Sequence, residues 1–105
     1  MVAVLYQMKL KAGSLDAYQL LWQQMVAFLS AERGAIGSAL HHLGDDQIVI
    51  YSRWPDRQTY ETSWPGEDQV EAMLPTQIAQ IALQMRDCIA GEVSVQVLDV
   101  LASTL

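Results

Sequence analysis

Apolar and polar residues alternate from the start of the chain. Over residues 2–10, Val2, Val4, Tyr6, Met8 and Leu10 fall on one side, while Ala3, Leu5, Gln7 and Lys9 fall on the other. A period of two is that of a pleated strand, here with one apolar and one mixed face. Gly13 ends it, and the period then changes. Ser14 occupies the place of a helix N-cap, and Asp16 favours the positive end of the helix dipole. Leu15, Tyr18, Trp22, Met25, Val26 and Leu29 follow at helical spacing as one stripe, and Gly34 is a stop signal, which predicts a helix over 15–32. Ala17, Leu20, Leu21 and Phe28 lie off the stripe, on the side expected to face solvent.

Residues 36–43 and 47–54 read as two strands around Gly44-Asp45-Asp46, a turn whose length and chemistry predict a β-hairpin. Pro55 holds Trp54 extended and suits the first turn of a short helix over 55–63, which Trp64-Pro65-Gly66 interrupts. Residues 67–74 are polar and loosely helical. Pro75 then opens a firmer helix, whose predicted buried face is Ile78, Ile81, Ala82, Met85, Cys88 and Ile89, with Gly91 closing it. Residues 92–102 alternate again, with Val93, Val95 and Val97 against Ser94, Gln96 and Leu98.

The order is β-α-β-β-α-β, with no internal repeat, linker or low-complexity stretch. A hairpin between helical crossovers is the ferredoxin-like plan: an α+β fold with a four-stranded antiparallel sheet and helices on one face. The opposite face carries Leu5, Val49 and Tyr51, and leaving it in water is costly. The simplest cover is the same face of a second copy, so a homodimer through the open sheet face is expected.

Composition narrows the classes of function. A chain of 105 residues predicts one domain over 1–105, long enough for a core without disulfide or metal staples. The formal charge is −6, from six Lys and Arg against twelve Asp and Glu. Lys9 with Lys11 is the nearest approach to a basic patch, which sets nucleic acid aside, and an acidic surface disfavours anionic membranes. Cys88 is the only cysteine, so an internal disulfide is impossible. The start of the chain does not read as a signal peptide, and no stretch has the ~18 apolar residues of a membrane span. A cytoplasmic protein is expected.

The chain resembles the antibiotic biosynthesis monooxygenase family of dimeric α/β-barrel proteins. The features that carry this are the first strand closing in Lys9-Leu10-Lys11-Ala12-Gly13-Ser14, the Trp-bearing first helix, Gly34 followed by Gly37, and the hairpin into Tyr51-Ser52-Arg53-Trp54-Pro55-Asp56. The most telling is the Trp at the end of the third strand, leading into a short helix with further aromatics. The similarity covers nearly the whole chain. It implies a two-chain barrel built from the open sheet faces and a pocket between sheet and helices in each chain. Some relatives oxidise polycyclic phenols or hydroquinones to quinones without metal or flavin, some degrade heme, and some have no known activity.

Tyr6, His42, Ser52 and Trp54 share one parity of their strands in the expected hairpin register and are expected under the helices. An apolar cavity with a few polar groups suits an aromatic ligand. Oxygenation without a cofactor needs a base for the phenolic proton and a site that excludes water. His42 is the candidate base, Tyr6 the hydrogen-bonding partner of the substrate oxygen, and Trp54 the stacking ring. Ser52, Tyr60 and Trp64 are candidate ligand contacts, although packing of a helix face explains the last two equally well. No metal is expected: His41 and His42 are adjacent on a strand and point to opposite faces, and no Cys lies near them. Cys88 reads as a structural thiol on its helix stripe. The heme-degrading relatives carry a histidine on the helical stretch after the strand-end Trp and an asparagine on the first strand. Here no His follows His42, and Tyr6 stands near the asparagine position. Both departures argue against heme breakdown. Other relatives place a His near the end of the short helix, where this chain has Ser63-Trp64.

The leading expectation is therefore a cofactor-independent monooxygenase for a small aromatic or polycyclic phenol or hydroquinone. The rival is a non-catalytic dimeric ligand-binding or stress-associated protein of the same fold. A third reading is a partner-binding dimer that uses Leu20, Leu21 and Phe28.

Overall fold

A computed structural model describes residues 1–64 and 73–105. The elements are β1 (Val2–Lys9), α1 (Leu15–Glu32), β2 (Gly37–Gly44), β3 (Gln47–Trp54), α2 (Arg57–Ser63), α3 (Thr76–Asp87) and β4 (Ser94–Asp99). The strands form one antiparallel sheet in the order β2-β3-β1-β4. This is the ferredoxin-like arrangement expected from the alternation of periods. Most of the stretch expected to be loosely helical at 67–74, together with Pro65 and Gly66, lies outside the described residues.

The pairing of β1 with β3 sets Val2 against Trp54, Val4 against Ser52, Tyr6 against Ile50 and Met8 against Ile48. These residues share the face covered by the helices, because alternate strand residues point the same way. Two apolar clusters form there. One contains Met8, Leu10, Tyr18, Ile48 and Ile50; the other contains Val2, Val4 and Trp54. Tyr6 packs against both. Leu5, Val49 and Tyr51 lie on the opposite face and are half-buried.

Local chemistry explains three element ends, two of them not where the sequence places them. Ser14 precedes α1, but its backbone is helical (φ −94°, ψ −3°) and its side chain caps nothing. A capping hydroxyl needs an extended backbone to reach the free N–H groups of the first turn. Asp56 has that backbone (φ −157°, ψ 169°), and its Oδ1 accepts from the Thr59 N–H at 2.7 Å. The short helix therefore begins at Arg57, after the proline. The Thr59 bond also holds the Asp56 carboxyl below its ordinary range. At the other end of the chain, α3 stops at Asp87 rather than at Gly91. Residues 88–90 pair with the end of β1 instead: Lys11 N–H donates to Cys88 O at 2.7 Å, and Ala90 N–H to Lys9 O at 2.8 Å. Gly91 then makes the turn into β4 with φ +88°.

The face of α3 is only half-buried, with Ala79 as its fully buried residue. The predicted stripe residues Ala82, Met85 and Ile89 border a cavity, while Met85, Cys88 and Ile89 also pack against the first apolar cluster. On α1, Tyr18 and Met25 are buried, whereas Leu20 is 62% exposed. Among the described residues, no helix is long and apolar enough to cross a membrane.

Ile48 is fully enclosed at 0% exposure. Truncating it removes buried methyl groups and leaves a cavity, so Ile48→Ala is expected to lose about 2–5 kcal/mol in urea unfolding. Leu20→Ala, on the solvent side of α1, is expected to stay within about 0.5 kcal/mol of the parent protein.

Candidate functional site

The sheet and the helices do not close completely on each other. Between them lies a cavity of about 720 Å³. Its floor is the helix-facing side of the sheet, with Tyr6, Ile50, Ser52 and Trp54; α1 contributes Tyr18 and Trp22, and Trp64 follows directly after α2. Met85 of α3 adds a further wall, and the cavity extends to Val93 and Val95 beside the exposed edge strand β4. The volume falls within the range of small-molecule sites, about 300–1,000 Å³, and the walls are mainly aromatic and aliphatic.

Two pairs of hydroxyls stand among its polar groups. Tyr6 OH lies 3.1 Å from Tyr60 OH. Ser38 Oγ lies 3.0 Å from Ser52 Oγ, across the paired strands β2 and β3. A pair of hydroxyls has two donors and uses one between them. Each pair therefore retains one donor for a ligand oxygen. Arg86 and Glu92 also border the cavity and are exposed.

Burial keeps the phenols protonated. Tyr6 is pushed far above its ordinary range, first by desolvation, then by the neighbouring Tyr60 phenol and its hydrogen bond, and last by Tyr18. Tyr18 is also pushed upward, by desolvation and then by the nearby Cys88 thiol. In an apolar pocket the phenolate loses its hydration, which favours the neutral form. Both tyrosines therefore remain neutral donors.

Of the residues singled out in the sequence, Tyr6, Ser52, Trp54 and Trp64 meet at the cavity wall. Tyr60 stands behind that wall. Its hydroxyl holds Tyr6, and its ring meets Trp54 edge-on, with centroids 5.7 Å apart and planes at 63°. His42 has the expected parity, paired with Ile48, but it sits at the hairpin end of edge strand β2 and is exposed. Its Nε2 donates to the Asp45 carbonyl at 2.7 Å. It is thus tied to the turn and lies outside the cavity lining. Ser38, Tyr18 and Trp22 also line the cavity and were not singled out. Ser38 was readable as the cross-strand neighbour of Ser52. Tyr18 and Trp22 were visible only as parts of a helix stripe. Among the described residues, no cluster of three or more His, Cys, Asp and Glu could hold a metal ion.

The state of the phenols has a measurable consequence. Below about pH 10, where a free tyrosine is protonated, burial of Tyr6 and Tyr18 adds no dependence on pH. Above it the unfolded chain releases these protons and the folded chain retains them, so stability falls. The expected slope is about 1.4 kcal/mol per pH unit for each phenol. Urea unfolding between pH 9 and 11 measures it. The Tyr6→Phe and Tyr18→Phe double variant is expected to flatten that slope, and an unchanged slope would contradict the assignment.

Comparison with known proteins places the chain in a family. The model of the antibiotic biosynthesis monooxygenase family matches residues 1–75. No curated protein matches the sequence. Solved structures share the fold across essentially the whole chain. Rv0793 from Mycobacterium tuberculosis is 19% identical, with 99% of this chain and 98% of that chain covered and a TM-score of 0.70. SnoaB, a cofactor-independent oxygenase from Streptomyces nogalater, is 11% identical, with 98% and 95% covered and a TM-score of 0.71. NE2512, a protein of unknown function from Nitrosomonas europaea, is 12% identical, with 99% and 92% covered and a TM-score of 0.70. The family match spans well over half of the sequence and the fold agrees throughout, so the chain belongs to the antibiotic biosynthesis monooxygenase family.

Proposed function

We propose that the protein is a cofactor-independent monooxygenase acting on a polycyclic phenol or hydroquinone held in the cavity between sheet and helices. The observation that carries this reading is an aromatic and aliphatic cavity of about 720 Å³ with the hydroxyls of Tyr6, Ser38 and Ser52 on its sheet side. Family membership and the likeness to SnoaB support the reaction class.

The chemistry needs little from the protein. A methylene flanked by phenolic rings loses a proton to bulk water as the substrate enters and becomes an electron-rich carbanion. It delivers electrons to O2 and a C–O bond forms. The O–O bond then breaks, with one oxygen remaining as the new carbonyl and the other leaving as water with the two methylene hydrogens. The substrate supplies every electron, so the step requires neither flavin nor metal.

With a substrate phenolate bound, Tyr6 turns its one hydroxyl proton to that oxygen and accepts from the Tyr60 hydroxyl in exchange. Trp54, Trp22 and Trp64 offer ring faces and edges. Ser38 and Ser52 bind a second oxygen. The apolar walls exclude water from the carbanion. His42 has no role in this scheme, because it is held at the hairpin turn. Ionisation then follows the acidity of the substrate itself.

A non-catalytic ligand binder is the second reading, and one observation favours it: among the described residues, no histidine lines the cavity. Oxygen uptake separates the two. With a panel of polycyclic phenols, and with no added metal or flavin, the enzyme reading expects uptake above the spontaneous rate. Tyr6→Phe is expected to lower kcat roughly 10²-fold, as for loss of one oxyanion donor, while His42→Ala leaves it unchanged. Ligand-dependent rises in Tm without uptake would identify a binder.

The same reading includes a homodimer through the open sheet face, where Leu5, Val49 and Tyr51 are half-buried and Leu98 is 45% exposed. Light scattering is expected to give twice the 11.7 kDa chain mass. A stable monomer would refute the dimer.

A further inference from the structure

Arg33 lies outside the cavity lining, directly after α1, and joins three parts of the fold. Its Nη1 donates to the Ser63 carbonyl at 3.3 Å and its Nη2 to the Met73 carbonyl at 2.7 Å. The Ser63 hydroxyl donates back to the Arg33 carbonyl at 3.2 Å. The guanidinium carbon stands 5.2 Å from the centre of the Phe28 ring. The backbone around it is equally constrained. Arg33 N–H closes the last turn of α1 on Leu29 O at 3.0 Å. Gly34 follows at φ +80°, and a Cβ there would lie 3.3 Å from Thr59 Cγ2 of α2. The turn therefore presses directly on α2.

We propose that Arg33 is a positioning residue that fixes Trp64 in the cavity wall and so sets the affinity of the site for its aromatic ligand. This rests on the reading of the cavity as the ligand site. The Ser63 carbonyl belongs to the last turn of α2, where carbonyls lack intrahelical partners and a cation is favoured. Ser63 is 7% exposed and is anchored through both its carbonyl and its hydroxyl to Arg33. Trp64 is the next residue. Its N–H is held by Tyr60 O at 3.0 Å, and its side chain reaches the cavity. Trp64 thus inherits its place from Ser63, and Ser63 inherits its place from Arg33. A planar fork with several donors serves two separate carbonyls, which a lysine ammonium on a flexible stem does not reproduce. Stacking on Phe28 restricts the guanidinium further.

Two readouts test this, one of them independent of any ligand. In a Trp22→Phe background, Trp64 dominates the accessible indole signal, because Trp54 is only 2% exposed. Arg33→Met is expected to raise acrylamide quenching of Trp64 at least about twofold, since neighbours that share anchors couple. Binding of 1-naphthol, followed by its own fluorescence, is expected to weaken about fivefold in Arg33→Met and to be insensitive to the same change in a Trp64→Ala background, as a double-mutant cycle requires. Arg33→Lys is expected to recover only part of both effects, and it carries both readouts if Arg33→Met does not fold. Unchanged quenching, an equal loss of affinity in both backgrounds, or full recovery by lysine would each overturn the proposal. Increased quenching in a protein that does not bind 1-naphthol at all would leave Arg33 as the anchor of Trp64 and would count against the ligand-site reading instead.

Discussion

The register between β1 and β3 is the constraint on which the rest of the molecule depends. It places Trp54, Ser52, Ile50 and Ile48 beside Val2, Val4, Tyr6 and Met8 on one face. A slip of one residue would turn this set towards the open face and remove both the core and the cavity floor. The register is secured at the hairpin end, where Leu10 N–H bonds the Asp46 carbonyl, and Ile36 N–H extends the neighbouring β2–β3 pairing by bonding the Arg53 carbonyl. The β2–β3 pairing carries an irregularity between His42 and Gly44, and it keeps Ser38 opposite Ser52. One apolar face thus receives three hydroxyl-bearing residues, Tyr6, Ser38 and Ser52, without losing its hydrophobic character.

That arrangement lets a largely apolar cavity still offer directed polar contacts. A charged base deep in the cavity would need its own counter-charge or would lose its charge. Hydroxyls avoid this conflict because they satisfy one another when the cavity is empty and keep a donor in reserve. Tyr60 shows the economy of the design, since it both orients Tyr6 and packs edge-on against Trp54. The short helix that carries Tyr60 is fixed by the Asp56 cap at its start and by Arg33 at its end. Loop chemistry thus reaches the cavity through α2 without touching a ligand.

Much of this was legible in the sequence because burial writes a period into it. The alternation in β1 and the stripe Tyr18, Trp22, Met25 and Leu29 gave the elements and their buried faces. Parity also brought Tyr6, Ser52 and Trp54 to one side. Parity carries no information on distance along a strand, however, so His42 shared the correct face while sitting at the hairpin end. The end of α3 was misplaced because pairing of Cys88 and Ala90 with the end of β1 is a tertiary contact with no local signal. Ser14 looked like a cap, but its backbone conformation prevents capping. The half-buried face of α3 was read as core, although part of it borders empty space: a helix stripe looks the same whether it faces side chains or a cavity. Arg33 had no signal at all, since its partners are backbone carbonyls distant in sequence.

The central claim is that this cavity lets a bound phenol react with O2 using only the electrons of the substrate. The most direct measurement is a single turnover of metal-stripped, flavin-free protein, with a polycyclic phenol bearing a ring methylene, under heavy-isotope dioxygen. The account expects one labelled oxygen in the new carbonyl of the product and the other in water. A product whose oxygen comes from the solvent, or turnover that appears only when metal or flavin is restored, would contradict it.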